Sequence, residues 1–230
     1  MIRNAKFLKP ILIFLFSLAI SFHATAQVGR FGIYAGANTS SVASEDSEGV
    51  STKGSVTGYQ AGGHINIRLN KFIIQPGLSY ISKGGHLKYV NTNPAQPSDY
   101  VVKFYPKYLE VPLTMLYVIK TGKKSLSFGG GPYVSYAVHG KLKGNGILFG
   151  KAYSNFVNSI DFAEDSSGFL SPLDYGLNGK VNLPLANQLG LNLTYSHGIS
   201  NISPGNKPGS GFATDVNNRT WGVSAVYSFK

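Results

Sequence analysis

"GYQAGGHINIRLNKFIIQPGLSY", Gly58 to Tyr80, decides the fold of this chain. In its first half Tyr59, Ala61, Gly63, Ile65, Ile67 and Leu69 are apolar or small, and the intervening Gln60, Gly62, His64, Asn66 and Arg68 are polar or small. A period of two puts successive side chains on opposite faces of an extended backbone, so this is a strand. After Asn70 and Lys71 the pattern restarts, with Phe72, Ile74, Pro76, Leu78 and Tyr80 against Ile73, Gln75, Gly77 and Ser79. Two such runs separated by two residues make a hairpin. The open question is which face meets solvent. A soluble barrel hides its apolar face, and a membrane barrel turns that face outward.

The same period recurs outside the hairpin and gives about eight segments in all. An early one carries Phe31, Ile33, Ala35 and Ala37; a later one carries Leu109, Val111, Leu113, Met115, Tyr117 and Ile119. Leu126 to Tyr136, Tyr175 to Leu183, Leu189 to Tyr195 and Trp221 to Phe229 complete the set, each with a smaller or more polar opposite face. Their connections alternate in length. Asn70-Lys71, Thr121 to Lys124 and Pro184 to Asn187 are short, whereas the others run to roughly 18, 20, 33 and 20 residues, the longest being the Gly-Asn-Phe-rich stretch His139 to Ser171. Short turns at one end, long loops at the other and an even strand number are the pattern of outer-membrane barrels with both termini in the periplasm. The segment Tyr100 to Tyr105 is itself strand-like and is expected to extend the sheet beyond the membrane.

Aromatic residues answer the question of the faces. With the long loops at the top, Tyr59, Tyr80, Tyr136, Tyr175, Tyr195 and Trp221 fall near the upper limit of the apolar face, and Phe31, Phe72, Tyr117, Phe128, Tyr227 and Phe229 near the lower limit. Two membrane–water interfaces select such girdles, because an amphipathic ring prefers headgroup level. A strand of about 11 residues, rising about 3.3 Å each and tilted near 40°, spans roughly 28 Å, close to the apolar band of these barrels. The expected fold is therefore all-β: an eight-stranded, antiparallel, up-and-down transmembrane barrel whose outer face meets lipid.

The inward face then carries a polar cluster. His64, Arg68, Glu110, Asp174 and Lys180 are its ionisable members, accompanied by Gln60, Asn66, Gln75, Thr114, Asn178, Asn182, Asn192 and Thr194 with glycines between them. An interior of eight strands is only wide enough for side chains to fill. Unpaired buried charge is costly, so Arg68 and Lys180 are expected to be balanced by Glu110 and Asp174 in a polar plug. An ion path is the competing reading of the same residues.

The N-terminus supplies the route to the membrane. Arg3, Lys6 and Lys9 precede an apolar run from Ile11 to Phe22 and the small-residue site Ala24-Thr25-Ala26, which reads as a signal peptide over residues 1–26 and a barrel domain over 27–230. The apolar run is shorter than the roughly 20 residues of a spanning helix. Without the three leader cations, 18 basic residues face 10 acidic ones, a net charge of +8. For an exported chain the counter-charge is anionic lipid, with lipopolysaccharide and other outer-membrane lipids as partners rather than nucleic acid. Lys83, Lys88, Lys103 and Lys107, flanking the second long loop, are candidates for lipopolysaccharide phosphates, although for any one lysine a solvated surface position is the expectation.

Catalytic and cofactor motifs do not emerge. The chain has no cysteine, so thiolate chemistry and a disulfide framework are ruled out. Gly129-Gly130-Gly131 lies within a strand rather than between a strand and a helix, and Gly122-Lys123-Lys124-Ser125 lacks the spacing of a phosphate loop. The five histidines show no paired metal-ligand spacing, and Glu45, Asp46 and Glu48 read as solvated charge before a divalent-cation site. Ser196, His197 and Asp215 are the one set from which a lipid-hydrolysing triad is conceivable, yet Ser196 and His197 are adjacent and point to opposite faces. The expectation is a protein that is not an enzyme and needs no cofactor.

Four motifs carry a family resemblance: Phe31-Gly32-Ile33-Tyr34-Ala35-Gly36 with Asn38 and Ser40, Gln75-Pro76-Gly77-Leu78-Ser79-Tyr80, Tyr108-Leu109-Glu110-Val111-Pro112-Leu113, and Gly131-Pro132-Tyr133. With them the mature chain resembles the PorT-like outer-membrane β-barrel family, often labelled "porin family". The closing stretch Trp221 to Phe229 is similar to outer-membrane C-terminal strands, which end in an aromatic residue read by the barrel assembly machinery; here Lys230 follows. The resemblance implies a Gram-negative outer-membrane location and an assembly-machinery partner. Some family members are implicated in protein secretion, so secretion-apparatus proteins join the expected partners. A non-enzymatic barrel making contacts through its external loops is the leading expectation, ahead of a small-solute pore, a secretion component and a lipid-modifying enzyme.

Overall fold

A computed structural model describes residues 29–44, 50–91, 98–121, 124–148, 151–163, 168–203 and 216–229. The signal peptide expected over residues 1–26, and Glu45, Asp46, Glu48, Asp215 and Lys230, lie outside the described residues. Eleven strands follow one another: β1 (Arg30–Ser44), β2 (Val50–Gly54), β3 (Val56–Leu69), β4 (Phe72–Ser82), β5 (Gly85–Asn91), β6 (Ser98–Thr121), β7 (Lys124–Leu148), β8 (Lys151–Ser159), β9 (Leu173–Ala186), β10 (Leu189–Gly198) and β11 (Val216–Ser228).

Eight of them close a ring in the order β6-β4-β3-β1-β11-β10-β9-β7, and β7 pairs back onto β6. Every pairing in the ring is antiparallel. The seam between the first and last strands is long, running from Gly32 opposite Ser228 to Ser44 opposite Val216. Closure satisfies each strand's backbone groups within the sheet, the condition for a β structure to cross hydrocarbon. Asn70 and Asn187 open two-residue turns at one end with φ of 54° and 23°, the left-handed region that asparagine tolerates and tight hairpins need. At that same end the Phe229 N–H donates to the Phe31 carbonyl at 2.8 Å.

The other end departs from the sequence reading. Most of the stretch from His139 to Ser171, read as a long loop, is strand: β7 runs on to Leu148 and returns as β8. Tyr100 to Tyr105 lies within the upper part of β6. β2, β5, upper β6, upper β7 and β8 form a five-stranded continuation of the barrel wall. A register shift beside Lys107 and Tyr108 separates the two parts: Ala137 and Gly140 are both buried and the intervening Val138 and His139 exposed. Such a bulge resets which residues face inward.

Above the barrel proper the inward residues are apolar. Val42, Phe104, Ile160, Leu170, Ile202 and Val216 pack together, and below them Ile81, Tyr108 and Ala137 form a second layer. The lumen is thus covered from the long-loop side by an apolar core. Toward the short turns, Leu116, Val118 and Val226 are buried.

Candidate functional site

Lys83 organises the interior. Its ammonium lies 2.7 Å from Glu110 Oε2 and 2.7 Å from Asp174 Oδ2, and it donates to Ser135 Oγ at 3.1 Å. The Tyr133 ring lies beneath it, with the centroid 4.1 Å from Nζ. Each carboxylate is held from further sides. Ser135 donates to Glu110 at 2.9 Å, Ser200 to Asp174 Oδ1 at 3.0 Å, and Asn218 to Asp174 Oδ2 at 3.1 Å. A buried charge is tolerable only when paired and hydrogen-bonded in this way. The cluster joins the β4–β5 junction to β6, β7, β9, β11 and the segment after β10, so it ties the wall together across the lumen.

Backbone geometry explains how Lys83 reaches the cluster. Gly84 has φ of +128°, and a Cβ there would lie 2.1 Å from the Phe104 carbonyl oxygen. Only glycine fits. Its N–H donates to Ser40 Oγ at 3.2 Å, while the Lys83 N–H donates to the Pro106 carbonyl at 3.1 Å. The chain between β4 and β5 is pinned on both sides, with the lysine side chain directed inward.

A second layer lies nearer the short turns. Lys180 donates to Gln75 Oε1 at 2.6 Å, and Gln75 Nε2 donates to Asn66 Oδ1 at 2.6 Å. Lysine can only donate, which fixes the orientation of the Gln75 amide. Gln60 donates to Ser224 at 2.7 Å and Thr114 to Asn178 at 3.1 Å. His64 is buried, its ring 5.9 Å from that of Tyr34.

The structure therefore rearranges the expected charge balance. Glu110 and Asp174 come together, but their cation is Lys83, read from sequence as a loop lysine. Lys180 rests on a neutral amide and beside the Tyr34 ring, 5.5 Å from its centroid. Arg68 is exposed and belongs to neither layer. Period two carried past Tyr80 would have found Lys83, which shares its parity with the inward Gln75, Ser79 and Ile81.

The twelve aromatic residues all have exposed or half-exposed side chains. Phe72, Tyr117 and Phe128 touch edge to face at one level, where Phe31, Phe229 and Tyr227 also meet. At the other level Tyr59 meets Tyr80, and Tyr195 lies against Trp221 with centroids 4.4 Å apart. Tyr136 and Tyr175 are exposed at that second level, on the adjoining β7 and β9.

The other candidates disperse. Ser196 is buried and His197 exposed, on opposite faces of β10. Among the described residues no group of three or more His, Asp or Glu side chains is placed to hold a metal. Lys88 lies 3.3 Å from Asp99. Lys103 is exposed, and Lys107 sits over the Tyr59 ring at 4.0 Å.

Residues 25–203 match the model of the outer membrane protein beta-barrel domain, and the chain belongs to that family. No curated protein matches it. Among solved structures it is similar to Ail, the attachment invasion locus protein of Yersinia pestis, at 15% identity and a TM-score of 0.45 over 88% of this chain and 100% of that one. It is also similar to OprG of Pseudomonas aeruginosa (13%, 0.42, 89% and 97%) and to Neisserial surface protein A (15%, 0.38, 87% and 96%).

Proposed function

We propose, from membership of this outer-membrane family, that the protein is a non-enzymatic integral barrel with a closed lumen. Its working surface is the five-stranded sheet above the membrane, which meets a ligand, a partner protein or lipopolysaccharide outside the cell. Both termini are periplasmic in this reading. The observation that carries it is the Lys83–Glu110–Asp174 cluster. It fills the lumen with side chains bonded to one another, and below it Lys180 is held by the Gln75 amide. The apolar layers above it support the same reading.

Single cysteines test the topology, since the chain has none of its own. Val157→Cys in the upper sheet is expected to react with a membrane-impermeant maleimide in intact cells, and Asn187→Cys only after permeabilisation. The reverse pattern would place the extension in the periplasm and end the reading. The PorT-like motifs support a secretion-apparatus partner as a second reading. Affinity purification from outer membranes separates the two, because secretion proteins would travel with the barrel only in the second.

A further inference from the structure

The outer face of upper β6 and β7 holds four cations. Lys103 stands directly opposite Lys143, Tyr105 opposite Lys141, and Lys107 opposite His139. Lys103, Lys141 and Lys143 are exposed and Lys107 partly so. Among the described residues none of the four pairs with a carboxylate; the nearby Asp99 is engaged by Lys88. Like charges directly opposite in a ladder repel and destabilise the pair of strands. Among the described residues the sheet offers these lysines no carboxylate, so an anionic ligand would relieve the repulsion.

Position identifies the source. Lys107 sits over Tyr59 at 4.0 Å, and Tyr59 contacts Tyr80, whose hydroxyl meets His139 Nε2 at 3.0 Å. The lowest cation is thus seated on the upper aromatic girdle, at headgroup level. From there to Lys103 the strip climbs four residues, roughly 13 Å along the strand. A glycerophospholipid offers one phosphate at one height. A phosphorylated glycolipid offers several, at the membrane surface and in the saccharide above it. We propose that the Lys103–Lys143 pair with Lys107 and Lys141 is a docking strip for the phosphate groups of lipopolysaccharide. Tyr105, whose ring lies 5.7 Å from Lys143 Nζ, supplies a flat surface for a sugar. This inference rests on the outer-membrane reading given above.

The test uses the full mature chain refolded into phosphatidylcholine nanodiscs, with a heat-dependent shift in gel migration confirming the barrel before titration. Labelled lipopolysaccharide is expected to bind, and Lys103→Gln/Lys143→Gln to weaken it by at least about tenfold. The quadruple change, adding Lys107→Gln and Lys141→Gln, is expected to abolish binding. Lys71→Gln/Lys120→Gln, at the short-turn end, should leave it unchanged. Chemically dephosphorylated lipopolysaccharide should bind weakly, and phosphatidylglycerol should not displace the native form. Wild-type affinity in the quadruple variant would overturn the strip, as would equal binding of the dephosphorylated lipid, effective displacement by phosphatidylglycerol, or an equal loss in the short-turn control. A chain that shows no migration shift and fails to enter the discs would instead overturn the barrel reading, and the strip with it.

Discussion

Along β6 one alternation of side chains means opposite things at its two ends. Between Leu109 and Ile119 the odd residues are apolar and largely exposed, while Glu110 and Thr114 are buried. Between Lys103 and Tyr108 the odd residues are Lys103, Tyr105 and Lys107, while Phe104, Pro106 and Tyr108 are buried. The backbone period is the same, and the surrounding solvent inverts the chemistry. In hydrocarbon the outer face must be apolar and the interior can be polar if it is fully paired; in water the ordinary arrangement returns. The change of sign near Lys107, on the upper aromatic girdle, marks the membrane boundary on the strand itself.

The largest expected effect attacks the polar interior. Lys83→Met leaves two carboxylates buried together, and loss of one partner of a buried ion pair costs about 3–5 kcal/mol. Urea unfolding of the refolded protein in vesicles measures it, and adding Glu110→Gln with Asp174→Asn should recover most of the loss. Unchanged stability of Lys83→Met would mean that the cluster does not hold the wall together.

Phe104→Ala probes the apolar interior above. Removing so large a buried ring costs about 3–5 kcal/mol, and the damage should fall on the upper sheet, where the ring is packed. Proteolysis of the upper sheet should accelerate while the heat-dependent gel shift of the barrel persists. If both change together, the two interiors are one cooperative unit and the division drawn here is too sharp.

Ile65→Arg is the matching test of the outer surface, at roughly 2–4 kcal/mol if the site lies near the bilayer midplane. Its neighbour Asn66 faces the lumen and accepts one hydrogen bond from Gln75, so Asn66→Ser should cost about 1 kcal/mol. The smallest effect is expected at Val157, which is more exposed than Ile65 at 57% against 45% but lies in the upper sheet. Val157→Arg should change stability by no more than about 0.5 kcal/mol. Equal penalties for Ile65→Arg and Val157→Arg, read from the same vesicle unfolding curves, would erase the membrane boundary inferred from β6.

Much of the barrel was legible because period two is a local signal that solvent enforces on every strand. The ring strands and the faces of Ile65 and His64 follow from it directly. The upper sheet was hidden by its glycines. Gly140, Gly144 and Gly146 resemble loop punctuation, yet at Gly144 a Cβ would lie 2.3 Å from the Phe156 ring, and at Gly140 it would meet Pro106 and Ile160. Those two are close approaches within strands, which single-sequence reading confuses with turns. The partners in the charge cluster are hidden in the sequence because they depend on height in the barrel. Arg68 has inward parity but stands two residues before the Asn70 turn, at the rim, where it is exposed, and Lys83 lies beyond Tyr80, where the period-two reading ends. Pairing across a lumen depends on the stagger of eight strands, which no single strand encodes.

A closed barrel carries no solute, and conductance in a planar bilayer reads that property without a ligand or partner. Purified protein should produce no large, stable steps at any amount inserted, because Lys83, Glu110, Asp174 and Tyr133 occupy the lumen beneath an apolar cover. Reproducible large openings whose number scales with inserted protein would show an open lumen and make a solute path the function of the interior.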